Sequence, residues 1–196
     1  HLAPETNMKL WTTYEDNKNN IHDRYHQYHK NIKVTGASVV VHSQENYVSH
    51  LTGHLETRLI NLPDKPAIQK NEAIKIADQM MAIDLQTQEN IITKTTITTK
   101  TESTVLTYIN EFYPKNHGNI VLAYEIVQSV NLWNKPIKKV HYLNAMTGQP
   151  IITISKIALH KAKGKGDSNY YGQVTFDHDS IAPNEFILQD LTRGDG

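Results

Sequence analysis

The chain has 196 residues, and its 20 basic and 20 acidic side chains cancel to a formal net charge of zero. That length makes one ordinary domain or two small ones. The balanced charge gives no basic face of the kind nucleic acids favour, and no apolar run is long enough for a membrane-spanning helix. With no cysteine there is neither a disulfide framework nor thiolate chemistry, and the 11 histidines stand out.

In chain order, residues 1–20 are polar and weakly patterned, and are expected to form a leader with a short helix. From Ile21 onward His22, Arg24, His26 and Tyr28 alternate with Tyr25, Gln27 and His29, which is strand periodicity. Turns around Asn31 and Ser43–Asn46 separate that strand from Val34–His42 and from Tyr47–Leu55, an antiparallel meander. Two prolines within Leu62–Pro66 signal a linker. A helix follows, with Asn71 as its cap and Ala73, Ile74, Ala77, Met80, Met81 and Leu85 on its apolar face. The threonine-rich stretch from Thr93 to Thr107 favours extended backbone. Strands are expected at Val105–Phe112, Ile120–Val130, Ile137–Leu143 and Ile151–Ile157. The basic, glycine-containing run His160–Gly166 reads as exposed and protease-sensitive. Short strands at Gly172–Phe176 and Phe186–Gln189 close the chain.

Three stretches resemble the precursor of thermolysin-like and vibriolysin-like zinc metalloproteases. His22-Asp23-Arg24-Tyr25-His26-Gln27, running through Lys30-Asn31-Ile32-Lys33-Val34-Thr35-Gly36, resembles the fungalysin/thermolysin propeptide motif. In that motif an H-x-R-aromatic-x-Q strand leads into a K-G-I-P-V-x-G turn. Asn31 and Lys33 depart from the usual glycine and proline, and Asn31 can still adopt the positive φ of such a turn. Asn71–Ile157, with Leu122-Ala123-Tyr124-Glu125-Ile126 and the hairpin Val140–Pro150, is similar to a PepSY domain. Gly164–Gly196 looks like the opening strands of the mature protease.

The fold expected is α+β: two small modules, each an antiparallel sheet with helix packing, then a flexible junction and a short β segment. The boundaries are a leader at 1–20, a propeptide-like module at 21–62, a PepSY-like module at 67–157, a processing junction at 158–166 and an incomplete protease start at 167–196. The resemblance implies a bacterial, secreted precursor, its signal peptide removed, in which this region is intramolecular chaperone and inhibitor of its catalytic domain. The partner is then the cognate catalytic domain, with neither nucleic acid nor membrane involved. The alternative is a stand-alone secreted module inhibiting a metalloprotease in trans.

The family's hydrolysis needs an H-E-x-x-H helix, and no histidine here is followed by glutamate. No catalytic residue, metal ligand or cofactor is therefore expected in this chain; zinc and calcium are implied only for the missing catalytic domain. His22 with His26, and His50 with His54, are four apart on strands, roughly 13 Å, and His26 and His29 face opposite sides, so none of these pairs suits a metal. Nor is there a nucleophile elbow, P-loop or dinucleotide fingerprint. The processing junction is expected among Ala158, Leu159, His160, Lys161, Ala162 and Lys163. Arg24, Tyr25 and Tyr28 are candidates for protease contact or fold support, Arg24 pairing with Glu56 or Asp23. Ile152, Ile154 and Ile157 either enter the protease cleft or complete a strand.

Overall fold

The computed structural model describes residues 2–16, 18–45, 47–89, 98–115, 117–132, 135–156, 161–168, 172–182 and 185–187. Strands β1 (Thr6–Glu15), β2 (Ile21–His29), β3 (Ile32–Gln44) and β4 (Tyr47–His54) precede helix α1 (Lys70–Glu89). Strands β5 (Lys100–Asn110), β6 (Ile120–Leu132), β7 (Lys135–Asn144), β8 (Pro150–Ser155), β9 (Lys161–Ser168), β10 (Gly172–Ala182) and β11 (Glu185–Ile187) follow. The architecture is α+β, with an eight-stranded, mostly antiparallel sheet in the order β1-β2-β3-β5-β6-β7-β8, β4 pairing with β3, and a separate β11-β10-β9 sheet.

β3 makes this topology possible because it is long enough to serve three neighbours. One edge carries β2; the other carries β4 along Ser38–Gln44 and then β5 in parallel at Lys33 and Val34. Between those two partners sits Gly36 at φ 82°, where its backbone passes the Tyr113 ring so closely that a Cβ would lie 3.1 Å from it. The β2–β3 hairpin turns on Lys30 and Asn31, both at positive φ (48° and 63°). That is the two-residue geometry whose twist matches the flanking strands, and asparagine tolerates it.

α1 buries Ala73, Ala77, Met81 and Leu85, spaced by four along one stripe. Over β5, β6 and β7, Ala73 and Ala77 join the core cluster of Tyr108, Leu122, Tyr124, Ile126 and Leu143, while Met81 and Leu85 pack with Val130 and Ile137. Burying each of the larger side chains stabilises by about 1.5–3 kcal/mol. The opposite sheet face holds a second cluster around Ile109, Ala123, Val140 and Tyr142.

Several expectations are corrected. Residues 6–15 are not a helical leader but a strand, paired with β2 along its whole length. Its side chains are mostly exposed, so it carries no burial pattern, and the β2 edge supplies the backbone partners that make it extended. The two expected modules share one sheet through the β3–β5 pairing, and α1 is the only helix among the described residues, so residues 21–62 have none of their own. Asn71 lies inside α1; the carbonyl of Gln69 accepts the first helical bonds, from Glu72 and Ala73 N–H. The proline-containing connection is tied down rather than free. Leu59 is fully buried, Tyr108 Oη donates to Pro63 O at 3.0 Å and Lys30 Nζ to Leu62 O at 3.0 Å. Finally, residues 161–166 of the junction expected to be flexible lie in β9, which pairs antiparallel with β10 along its backbone. Backbone ladders need no apolar side chains, so a glycine- and lysine-rich composition does not forbid one.

Candidate functional site

The propeptide-like strand β2 is anchored from below by Gln27, whose side chain is fully buried. Its Nε2 donates to Glu56 O at 2.7 Å and its Oε1 accepts from Glu56 N–H at 2.8 Å, so the amide acts as a strand partner for the chain leaving β4. The Glu56 carboxylate accepts from Arg58 N–H, Nε and Nη2 at 2.8, 2.8 and 2.7 Å. Burial alone would raise the Glu56 carboxyl, but these donors outweigh it and hold it below the usual carboxylate range. Arg58 Nη1 reaches on to Gly118 O at 2.8 Å, joining this corner to the β5–β6 connection.

Beside the Glu56 corner a cavity of about 220 Å³ opens between β4 and β5, lined by Gly36, His54, Glu56, Asn110, Tyr113 and Ile120 among others. Asn110 Oδ1 accepts from Phe112 N–H at 2.9 Å, while its buried Nδ2 has no partner among the described residues.

Arg24, Tyr25 and Tyr28 do not converge. Arg24 shares a face with Thr12 and Val40 and lies over the Trp11 ring at 6.0 Å. Its expected partners are engaged elsewhere: Glu56 by Arg58, and Asp23 by the Thr13 hydroxyl, 2.5 Å from the carboxylate. Tyr25 stands on the other face with Leu10 and Val39. Tyr28 carries Lys9 Nζ 4.3 Å above its ring.

The histidines assemble across strands rather than along them. Register puts His22 opposite Tyr14, His42 opposite His22 and His50 opposite His42, a ladder over β1, β2, β3 and β4. Tyr14 and His22 stack with centroids 4.5 Å apart, and His42 and His50 at 4.2 Å. His22 Nδ1 and His42 Nδ1 are 2.6 Å apart; His22 Nε2 reaches Asp16 Oδ2 at 3.3 Å and His42 Nε2 the Thr52 hydroxyl at 2.7 Å. Hydrogen bonds from the Asn20 side chain and backbone, then from Lys18 N–H and His22, hold the Asp16 carboxyl well below its ordinary range. Burial, followed by the charges of His50 and His22, pushes His42 down. Among the described residues no group of three His, Asp or Glu side chains is placed to hold a metal ion. Reading along the strands missed His42 altogether, because its partner lies 20 residues away; only the hairpin register could have revealed it.

Ile152 and Ile154 belong to β8, opposite Tyr142 and Val140, and pack half-buried on the second core cluster. Ile157, Ala158, Leu159 and His160 lie outside the described residues. The backbones of Lys161, Ala162 and Lys163 are paired in β9 with Asp179, His178 and Asp177.

Against known proteins, residues 6–55, that is β1 to the end of β4, match the Fungalysin/Thermolysin Propeptide Motif. No curated protein matches the chain. Among solved structures, the Bacillus megaterium YpeB C-terminal domain is similar at 15% identity with a TM-score of 0.41, over 78% of this chain and 57% of that one. The chain therefore spans little more than half of that structure's length. The motif at 6–55 is that of a propeptide, a non-catalytic region of fungalysin/thermolysin-type metalloproteases.

Proposed function

We propose that this chain is the proregion of a secreted thermolysin-like zinc metalloprotease, folding and inhibiting its own catalytic domain until proteolysis removes it. The propeptide motif at residues 6–55 carries the reading. Residues 67–157 then act as a PepSY-like unit, 158–166 as the junction, and 167–196 as the start of the protease, whose remainder would supply the zinc and calcium sites. Extracellular proteases survive through high unfolding barriers, which makes them slow to fold. A covalently attached surface that binds the folding transition state lowers that barrier at high effective concentration. Inhibition follows if the segment after β8 occupies the substrate cleft. With Lys161–Lys163 drawn into β9, cleavage is expected at 157–160, where Ala158 or Leu159 supplies the apolar residue that these enzymes favour after the cut.

The test is refolding. A denatured thermolysin-like catalytic domain is diluted with and without equimolar chain, and recovered activity is read after proteolytic removal of the proregion. The chain is expected to raise the yield, and equal yields contradict the chaperone role. Inhibition in trans without any cleavage would favour the stand-alone module.

A further inference from the structure

The hydrogens of the His22–His42 contact can be assigned by elimination. An ionised carboxylate only accepts, so His22 Nε2 carries a hydrogen toward Asp16. His22 Nδ1 is then the acceptor of a neutral ring, and His42 Nδ1 must donate across the 2.6 Å gap. His42 Nε2 is left to accept from the Thr52 hydroxyl at 2.7 Å. The neutral chain thus runs Thr52 to His42 to His22 to Asp16, with every hydrogen used once. One extra proton fits on His42 Nε2, with Thr52 turning to accept. A second has only His22 Nδ1 to occupy, which sets two N–H donors against each other. A metal between the rings is a poorer occupant. Two imidazoles on one tetrahedral zinc, at about 2.0–2.1 Å each, hold their nitrogens roughly 3.3 Å apart, and no third ligand is in place among the described residues.

The surroundings make this contact consequential. Among the described residues α1 packs on β5, β6 and β7, and of β1–β4 only Val34 and Ala37 of β3 share its core cluster. β4 is exposed along its whole length, and β1 nearly so. Around the pair the sheet therefore has little burial to outweigh an electrostatic change: residues 21–25 and 39–43 are half-buried or exposed. The titratable and charged groups facing the pair are Tyr14 and Asp16 from β1 and its following turn, Arg24 from β2 and His50 from β4, while β3 adds only His42 itself. Burial and the charges of His50 and His22 act against a proton on His42.

We propose that His22 and His42 form a one-proton latch between β2 and β3, closed while the pair shares a single bridging hydrogen and opened when both rings are protonated, so that the β1–β4 end of the sheet loosens in acid. It is a property of this chain alone and does not depend on what the chain binds.

Histidine-selective ¹⁵N NMR of the full chain, titrated from neutral to acid, is the test, with amide hydrogen exchange read in parallel. At neutral pH His42 Nδ1 is expected to be protonated and His22 Nδ1 to be an acceptor, and the two rings titrate in coupled, separate steps. After correction for intrinsic rates, amides of residues 21–25 and 39–43 lose protection by about tenfold more than those of β6 as the second ring charges, a tenfold change corresponding to one unit of coupling. His42→Gln removes that difference. Two independent rings titrating at the ordinary histidine midpoint overturn the proposal, as does an equal acid loss in His42→Gln. If that variant does not fold, the titration of the unmodified chain decides.

Discussion

The Gln27 side chain and the Glu56 backbone are joined by two hydrogen bonds, one in each direction, inside a buried corner of the sheet. Truncation of Gln27 leaves a buried N–H and a buried carbonyl without partners, each costing about 1–3 kcal/mol. Gln27→Ala is expected to lower unfolding free energy by roughly 3 kcal/mol in urea titration. A loss well under 1 kcal/mol would show that water replaces the clamp.

Arg58→Ala acts on the same corner through charge. It removes the two guanidinium donors, Nε and Nη2, from the nearly buried Glu56 carboxylate and leaves the backbone N–H of residue 58 in place, and the guanidinium itself is half exposed, so the loss is expected at about 1–2 kcal/mol rather than the full cost of a buried pair. Because Glu56 is held below its usual range, the stabilisation is present above the unfolded-state carboxylate pKa and disappears as pH falls through the folded one. The variant's stability should therefore approach that of the parent in strong acid. A gap that persists undiminished there contradicts the assignment.

His141 gives a second acid dependence, in the core. Burial first, and then the Lys139 charge, pushes it down from 6.5 to about 4, with Asp78 opposing. Its Nδ1 bonds to the Thr153 hydroxyl at 2.9 Å. The unfolded chain binds this proton more readily, so stability is full above pH 6.5 and falls as pH drops toward 4. The total at stake is about 3 kcal/mol. His141→Gln should flatten that part of the stability–pH curve, and an unchanged slope would assign the acid loss to other groups.

On α1, Met81→Ala and Leu85→Ala each empty a fully buried position over β6 and β7. Each is expected to cost about 2–5 kcal/mol. Asp84→Asn removes the carboxylate charge that faces the buried Lys139 ammonium, which burial already pushes down. Thermal unfolding should rank all three well below Ile83→Ala, whose side chain is exposed.

What the sequence made legible follows from side-chain pattern. β2, β3, β4 and β6 announced themselves through alternation, β-branched runs and the turn at Asn31, and the stripe of Ala73, Ala77, Met81 and Leu85 announced α1. β1 did not, because Leu10, Trp11 and Tyr14 are exposed and its extension comes from the β2 edge. β9 was hidden likewise, since pairing with β10 asks nothing of its lysines and glycines. At the candidate site, Gln27 was visible as a motif residue but its partner was not. Of the two carboxylates expected for Arg24, Glu56 is held by Arg58, two residues along the chain, and Asp23 meets the Thr13 hydroxyl. The histidine ladder depended on register, which no single strand contains.

The most direct test of the proregion account is inhibition of a thermolysin-like protease by the purified chain, with intact mass recorded through the incubation. The account predicts nanomolar inhibition and one dominant cut on the C-terminal side of β8, within residues 157–160. No inhibition of any such enzyme, with cleavage scattered along the chain, would contradict it.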